Sequence, residues 1–218
     1  MITLISTGHY ETGLCSSQEL LKLIESINPD VIFEEVPQNK FDLIYNGLLS
    51  DSLETLAVKA YLKNSQIPHF PVDLELEKLK EEMIRRSALG IFSYFERLHE
   101  RYRAISGEHE RLSAELGFPY LSSNKCSEIL NEKRQLEHKI VKEANDFQLT
   151  QDYDAWQVFL DSRRNTMVEG VLLHYKQLKF RNGLILVGAE HRSSLKEKLT
   201  QEGQDLDKGL VWNFNYFE

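Results

Sequence analysis

The chain has 218 residues, of which 41% are hydrophobic and 28% are charged, and this composition excludes an intrinsically disordered protein. Its net charge of −8 disfavours nucleic-acid binding, because a surface that binds nucleic acid needs basic residues to neutralise phosphates. Cys15 and Cys126 match no zinc-ligand spacing, and we expect both to be reduced thiols. Neither a targeting segment nor an apolar run of membrane-spanning length is found. The sequence therefore predicts one soluble, cytoplasmic domain over 1–218 without a membrane partner.

The N-terminal third alternates strand and helix signals. Residues 2–6 predict a buried strand, and an amphipathic helix capped by Ser16 follows it. Residues 31–36 predict a second strand that ends at Pro37. A helix near 52–64 and a short third strand over 67–73 complete this part, and the two prolines of that strand favour an edge position.

Strand signals vanish between residues 74 and 147, where Glu, Lys, Arg and Leu dominate. The clearest break is Gly117-Phe118-Pro119, and we therefore predict a helical hairpin inserted into the α/β domain. We expect this insert to project from the domain or to cover its cleft, with Ile91, Phe92 and Phe95 at the entrance. An alternative interpretation makes the insert a partner-binding arm through which the protein forms a homo-oligomer.

The α/β pattern returns after residue 147. A long helix over 152–179 carries an apolar stripe, and a very apolar strand over 184–187 follows it. A helix opened by Ser194 and a final strand over 210–217 close the chain. Strands joined by helices predict a mostly parallel sheet flanked by helices on both faces.

Two histidines occupy equivalent positions in this pattern. His9 and His191 each lie just past the carboxyl end of a predicted buried strand, which is where open parallel sheets bind ligands. A helix follows each of them, and its N-terminus offers free N–H groups. Either residue alone is also consistent with an ordinary loop histidine outside the core, but two in equivalent positions favour a shared site. We interpret the other histidines as surface residues: His69, His99, His109, His138 and His174.

Carboxylates and an arginine complete the candidate site. Glu34 and Glu35 close the second strand, and side-chain alternation predicts that only one of them faces the histidines. Arg164 lies within the apolar stripe of the long helix, so it is a candidate to pair with Glu35 or to bind an oxyanion; a plain structural ion pair is the alternative. Asp73 ends the third strand at a position equivalent to that of the two glutamates, and we favour its interpretation as the N-cap of the next helix over a place in the site.

Four short motifs occur in a recognisable order: a strand before His9, Pro29-Asp30 with Glu35 six residues after the proline, Arg164-Asn165, and Gly188-Ala-Glu-His191. The series resembles the TraB/Tiki superfamily, which includes pheromone-shutdown proteins, ChaN-type haem-binding lipoproteins and erythromycin esterases. That family carries two Gly-x-x-His motifs, and Ser6 stands where the first glycine would be. The likeness covers both ends of the chain and omits residues 74–147.

The resemblance implies an α/β fold of the erythromycin-esterase/ChaN kind and hydrolysis of a peptide or ester bond in a small-molecule or peptide substrate. His9, Glu35 and His191 would then hold a divalent Mn, Fe, Co or Zn ion, or position a water directly without metal. Arg164 would stabilise the oxyanion. The rival hypothesis is a non-catalytic protein that binds haem or another small ligand in the same cleft.

Overall fold

The computed structural model describes residues 1–203 and 210–218. These residues form an α/β fold with a five-stranded, all-parallel sheet flanked by helices, which confirms the predicted fold class. The strand order is β3-β2-β4-β1-β5. In chain order the strands are β1 (Ile2–Thr7), β2 (Val31–Pro37), β3 (His69–Asp73), β4 (Gly183–Gly188) and β5 (Trp212–Asn213).

The helices connect the strands and cover both faces of the sheet. They are α1 (Ser17–Ile27), α2 (Gln38–Tyr45), α3 (Leu53–Leu62), α4 (Lys78–Leu98), α5 (Glu100–Leu121), α6 (Asn124–Ala144), α7 (Phe147–Gln177) and α8 (Arg192–Gly203). Among the helices of the described chain, none combines the length and apolar character that a membrane span needs.

Three local expectations differ from the structure. Helix α2, directly after β2, has no counterpart among the predicted elements. Helix α8 starts at Arg192, because a 3-10 turn over Ala189–His191 leads straight into it, and Ser194 lies inside the helix rather than at its cap. The last strand has only two residues, since the aromatic residues after it leave the sheet and Tyr216 packs near α1, where its hydroxyl donates to Ser26 at 2.9 Å.

Side-chain alternation divides the buried residues of the central strands between two cores. One core lies under α7 and α8 and contains Ile2, Leu4, Val31, Phe33, Ile185 and Val187. The other lies under α1, α3 and the ends of α5 and α6, and contains Ile5, Ile32, Leu184 and Leu186. Because successive residues of a strand face opposite sides, Glu35 continues the Phe33 face toward α7, and Glu34 faces the other way.

Residues 74–147 are helical and contain no strand, as predicted, but the predicted hairpin is wrong because three helices fill this segment. A turn at His99 separates α4 from α5. Gly117, at φ 66° and ψ −149°, kinks α5 where the break was expected, and the residues after the kink pack into the core of the sheet. Ile91 and Phe95 are buried in a third apolar cluster with α5, α6 and α7, so they do not lie at an entrance.

The loop after β1 is attached to α5 by close backbone contact. Gly13 has a φ of 50°, and a Cβ atom added there would lie 2.1 Å from the carbonyl oxygen of Ala114. The next residue, Leu14, donates its N–H to that oxygen at 2.8 Å. A residue with a side chain cannot occupy this position without moving the loop. The contact therefore links the insert to the loop that contains His9.

We predict opposite effects for the same substitution at two glycines of this region. Gly13→Ala should lower the free energy of unfolding by about 1–3 kcal/mol, because the added methyl group meets Ala114 and the φ is positive. Gly107→Ala, within α5, should raise it by about 0.5–1 kcal/mol, because nothing lies within 4 Å of the new Cβ atom and alanine favours the helix. Denaturant unfolding measures both. Equal shifts would show that the contact at Gly13 is unimportant.

Candidate functional site

The site lies at the carboxyl ends of three neighbouring strands. Because β4 lies between β1 and β2, the residues that follow or end these strands are close in space. Glu35 ends β2, His191 follows β4 and His9 follows β1. The His191 Nε2 atom lies 3.2 Å from Glu35 Oε1, and His9 Nε2 lies 3.8 Å from the same oxygen. The structure thus brings together three of the four predicted side chains.

Glu35 is the centre of this arrangement, with a side chain that is only 3% exposed. Its Oε1 atom accepts a hydrogen bond from Arg163 Nη2 at 2.5 Å, and its Oε2 atom accepts one from the Gly188 N–H at 2.6 Å. Burial alone would raise the pKa of Glu35, but the hydrogen bond from His191 and the positive charges nearby hold it well below the usual range. Glu35 is therefore a carboxylate at neutral pH.

The cation beside Glu35 is Arg163, and the predicted pair between Glu35 and Arg164 is wrong. Arg163 also donates from Nε and Nη2 to both Asp73 carboxylate oxygens, at 2.9 and 2.8 Å, so its guanidinium joins the two acids. Asp73 accepts from the Leu74 N–H at 2.8 Å but does not cap α4, which begins five residues after Asp73, at Lys78. The interpretation of Asp73 as a helix cap is therefore also wrong.

Arg164 is buried, at 5% exposure, as its place in the apolar stripe predicted. Its Nη1 atom donates to Asp161 at 2.9 Å, while its Nε atom finds no acceptor among the described residues. Burial lowers the pKa of Arg164. Successive helix residues point about 100° apart, which is why Arg163 faces the strand ends and Arg164 faces a cavity of about 220 Å³ that is also lined by Lys133 and Glu190.

His9 has an unusual backbone and a fixed side chain. Its φ of 61° lies in the left-handed region, and Glu54 Oε1 binds it twice, 3.2 Å from the backbone N–H and 3.0 Å from Nδ1. Burial lowers the pKa of His9, but the hydrogen bond with Glu54 and the charge of Glu35 outweigh this effect and raise the pKa to about 9. The side chain is still 44% exposed, so a substrate can reach it.

Glu54, in the first turn of α3, was not predicted from the sequence. Burial would raise its pKa, but the hydrogen bond and the charge of His9 lower it to about 2. An acidic residue in the first turn of a helix is common because it interacts favourably with the helix dipole. The sequence around Glu54 therefore carried no signal that set it apart from other such residues.

His191 lies on the 3-10 turn after β4 and is only 4% exposed. Its Nδ1 atom has no hydrogen-bond partner within the described residues. Gly188, three residues earlier, allows His9 to approach the strand end, because a Cβ atom there would lie 2.7 Å from His9 Nε2. The glycine and the histidine of this Gly-x-x-His motif thus contact two of the other predicted residues, His9 and Glu35.

Glu34 faces the opposite side of the sheet, which confirms that Glu35 is the residue directed at the histidines. Glu34 accepts hydrogen bonds from Tyr45 at 2.6 Å and from His69 Nδ1 at 2.7 Å. His69 is therefore not the surface residue that we predicted. His109 and His174 are half-buried as well, because the first bonds Tyr120 and the second stacks on an aromatic ring, whereas His138 is exposed.

Two cavities flank the pair of Glu35 and Arg163. The polar cavity, of about 300 Å³, is lined by His9, Glu35, Glu54 and the turn that begins α3. The apolar cavity, of about 360 Å³, lies between α4 and α7, and Arg163 and Asp73 form part of its wall. Both volumes fall at the lower end of the range for small-molecule sites, about 300–1,000 Å³.

The side chains around Glu35 do not fit the divalent ion that the family resemblance implies. Within residues 1–203 and 210–218, no group of three or more His, Cys, Asp or Glu side chains is arranged to hold a metal ion. Both Glu35 oxygens already accept hydrogen bonds, and the guanidinium of Arg163 opposes a second cation beside the same carboxylate. We therefore derive the chemistry of the site from its side chains alone.

Comparison with known proteins adds no assignment. No protein-family model matches this chain, and neither a curated protein nor a solved structure matches it. The resemblance to the TraB/Tiki superfamily therefore stays a prediction from four short motifs.

Proposed function

We propose that this protein is a hydrolase that cleaves an ester or amide bond with His9 as its base. The observation that carries the proposal is an accessible imidazole whose Nδ1 is held by the buried Glu54, while its Nε2 lies beside the pair of Glu35 and Arg163. A carboxylate–histidine pair next to a fixed positive charge supplies the two elements of hydrolysis: a base for water and a stabiliser for the oxyanion.

His9 acts on the water. In the neutral form of His9, which predominates above the pKa of about 9, the Glu54 carboxylate accepts a hydrogen bond from Nδ1, so the proton stays on that atom and the Nε2 lone pair is free. Nε2 then takes a proton from a water molecule in the polar cavity as the water attacks the carbonyl carbon. The charges of Glu35 and Glu54 stabilise the imidazolium that forms. This imidazolium then gives the proton to the leaving alcohol or amine as its bond to the carbonyl carbon breaks, and the acid product remains.

Arg163 stabilises the negative charge that develops on the carbonyl oxygen. Its Nε and Nη2 atoms bind Asp73 and Glu35, so the guanidinium is held in place, while its Nη1 atom makes no hydrogen bond within the described residues. A donor that is already positioned needs no reorganisation during the reaction. We therefore transfer the oxyanion role predicted for Arg164 to its neighbour Arg163.

The family resemblance supports the same proposal. The four motifs that resemble the TraB/Tiki superfamily include three of the residues in the site, and that superfamily contains metal-independent esterases.

We also infer that the protein works in the cytoplasm, which agrees with Cys15 and Cys126 being buried and unpaired.

The first test is hydrolysis of 4-nitrophenyl esters and a peptide library by the purified protein. We expect activity that a chelator leaves unchanged and that His9→Ala lowers about 10²–10⁴-fold, the usual contribution of a general base. His138→Ala, at an exposed position on α6, is the matched control and should keep full activity. Loss of activity on chelation with recovery on adding Mn, Fe, Co or Zn would support a metallohydrolase instead. No hydrolysis together with a Soret band would support the haem-binding alternative.

We predict that Glu54→Gln moves the pH dependence of the reaction. The base must be neutral, so the rate should rise with pH and level off above the His9 pKa of about 9. Removing the Glu54 charge removes a main cause of the raised pKa, so the midpoint of the rise should fall toward the ordinary histidine value. The pH profile of kcat/KM measures the midpoint, and melting temperatures check that the variant is folded. A folded variant with an unchanged midpoint would exclude His9 as the base.

Adjacent arginines provide a matched pair of variants. Arg163→Lys keeps the charge but loses the planar fork that binds two carboxylates, so kcat should fall at least about tenfold. Arg164→Lys should leave kcat unchanged, because Arg164 pairs with Asp161 and makes no contact with Glu35. Steady-state kinetics at one pH measures kcat for both variants. The reverse result would return the role to Arg164.

A further inference from the structure

The apolar cavity is built from side chains that leave a space rather than fill the core. Phe92, Trp156 and Phe159 form its aromatic wall, with ring centroids 5.7 Å apart for the first two and 5.5 Å apart for the last two. Ile84 and Leu89 of α4 also line the cavity. An aliphatic group of moderate size would lose its contact with water there, and this is the main source of affinity in such pockets.

This cavity meets the proposed catalytic site directly. The Arg163 guanidinium lies over the Phe159 ring, 5.7 Å from its centroid, while the same guanidinium binds Glu35. Pro37 lines both the apolar and the polar cavity. A substrate with its carbonyl group beside Arg163 therefore extends into the apolar cavity on one side and into the polar cavity on the other.

The polar and the apolar cavity differ in the charge of the residues that line them. The polar cavity is lined by carboxylates, namely Glu34, Glu35, Asp51 and Glu54, which repel an anion and suit a leaving amine or alcohol. The charged residues of the apolar cavity are Lys40, Arg85 and Arg163 against Asp73 and Glu81, so cations are in excess by one there. Hydrolysis leaves a carboxylate on the acyl product, and that product fits the cationic side.

We infer that the apolar cavity binds the aliphatic acyl chain of the substrate, and that the enzyme prefers medium-chain acyl esters or amides over acetyl ones. This inference rests on the proposed hydrolase function for the orientation of the substrate. The cavity itself is tested by binding, which requires no turnover.

The binding test uses the emission of Trp156. The chain has two tryptophans, so Trp212→Phe leaves Trp156 as the reporter inside the cavity wall. Titration with sodium octanoate should give a saturable change in emission, and sodium acetate should give none. In the same background Ile84→Glu should weaken octanoate binding at least about tenfold, because it places a negative charge in the apolar wall.

Met83→Glu is the matched control, because it adds the same charge one residue away at a position that is 72% exposed and outside the cavity wall. Octanoate binding should be unchanged in this variant. Leu89→Glu is a second wall variant, at a position that is 58% exposed, so its effect cannot be attributed to misfolding. Absence of saturable octanoate binding, or equal binding by the wall variants and the control, would overturn the inference.

Hydrolysis of 4-nitrophenyl acetate and octanoate then separates this inference from the proposed function. We expect a higher kcat/KM for octanoate, and we expect Ile84→Glu to lower that kcat/KM at least about tenfold, whereas Met83→Glu should leave the values for both esters unchanged. Octanoate binding without hydrolysis of either ester would refute the hydrolase and leave a binding site for aliphatic acids. Hydrolysis without a chain-length preference would refute the acyl pocket and leave the hydrolase.

Discussion

The buried carboxylate of Glu35 is the constraint on which the arrangement of the site depends. A carboxylate that is 3% exposed destabilises the folded protein unless its charge is compensated. Its partners come from separate elements: Arg163 from α7, the Gly188 N–H from the end of β4, and His191 from the turn after β4. These groups meet only because β4 lies beside β2. The strand order therefore determines whether Glu35 can be buried and ionised.

The same strand order means that the site can form only after β4 has joined the sheet. The hydrogen bond between Gly188 and Glu35 joins residues 153 positions apart, and β4 must enter between β1 and β2 before it can form. Contacts of such long sequence separation carry a large loop-closure entropy. Neither histidine is positioned by its local sequence alone. The site is thus a product of the assembled sheet, and it cannot exist in the N-terminal third of the chain by itself.

The limits of prediction from the sequence follow from this dependence. The α/β class could be predicted from the alternation of strand and helix signals. Strand alternation left two choices for the carboxylate of the site, Glu34 and Glu35, and the position of the family's glutamate six residues after a proline favoured Glu35. Arg163 could not be predicted, because the apolar stripe shows only which side of α7 is buried; at Arg164 that side faces α6 rather than the strand ends. Glu54 contacts His9 only because of the way α3 packs in the fold. The residues in the first turn of α3 carry no information about that packing. Short elements such as α2 and β5 depend in the same way on what they pack against.

In the proposed hydrolase, the inserted helices shape the apolar cavity while the strand ends carry the catalytic side chains. The strand ends alone would leave His9 and Glu35 at an open edge, and α4 together with α7 supplies the walls of the adjoining apolar cavity. The insert also holds the loop that contains His9, since Leu14 donates its N–H to Ala114 of α5. Substitutions in the wall of α4, such as those at Ile84, change the shape of that cavity without touching a partner of Glu35. Such substitutions can change which group the cavity binds, while Glu35 and its partners stay the same.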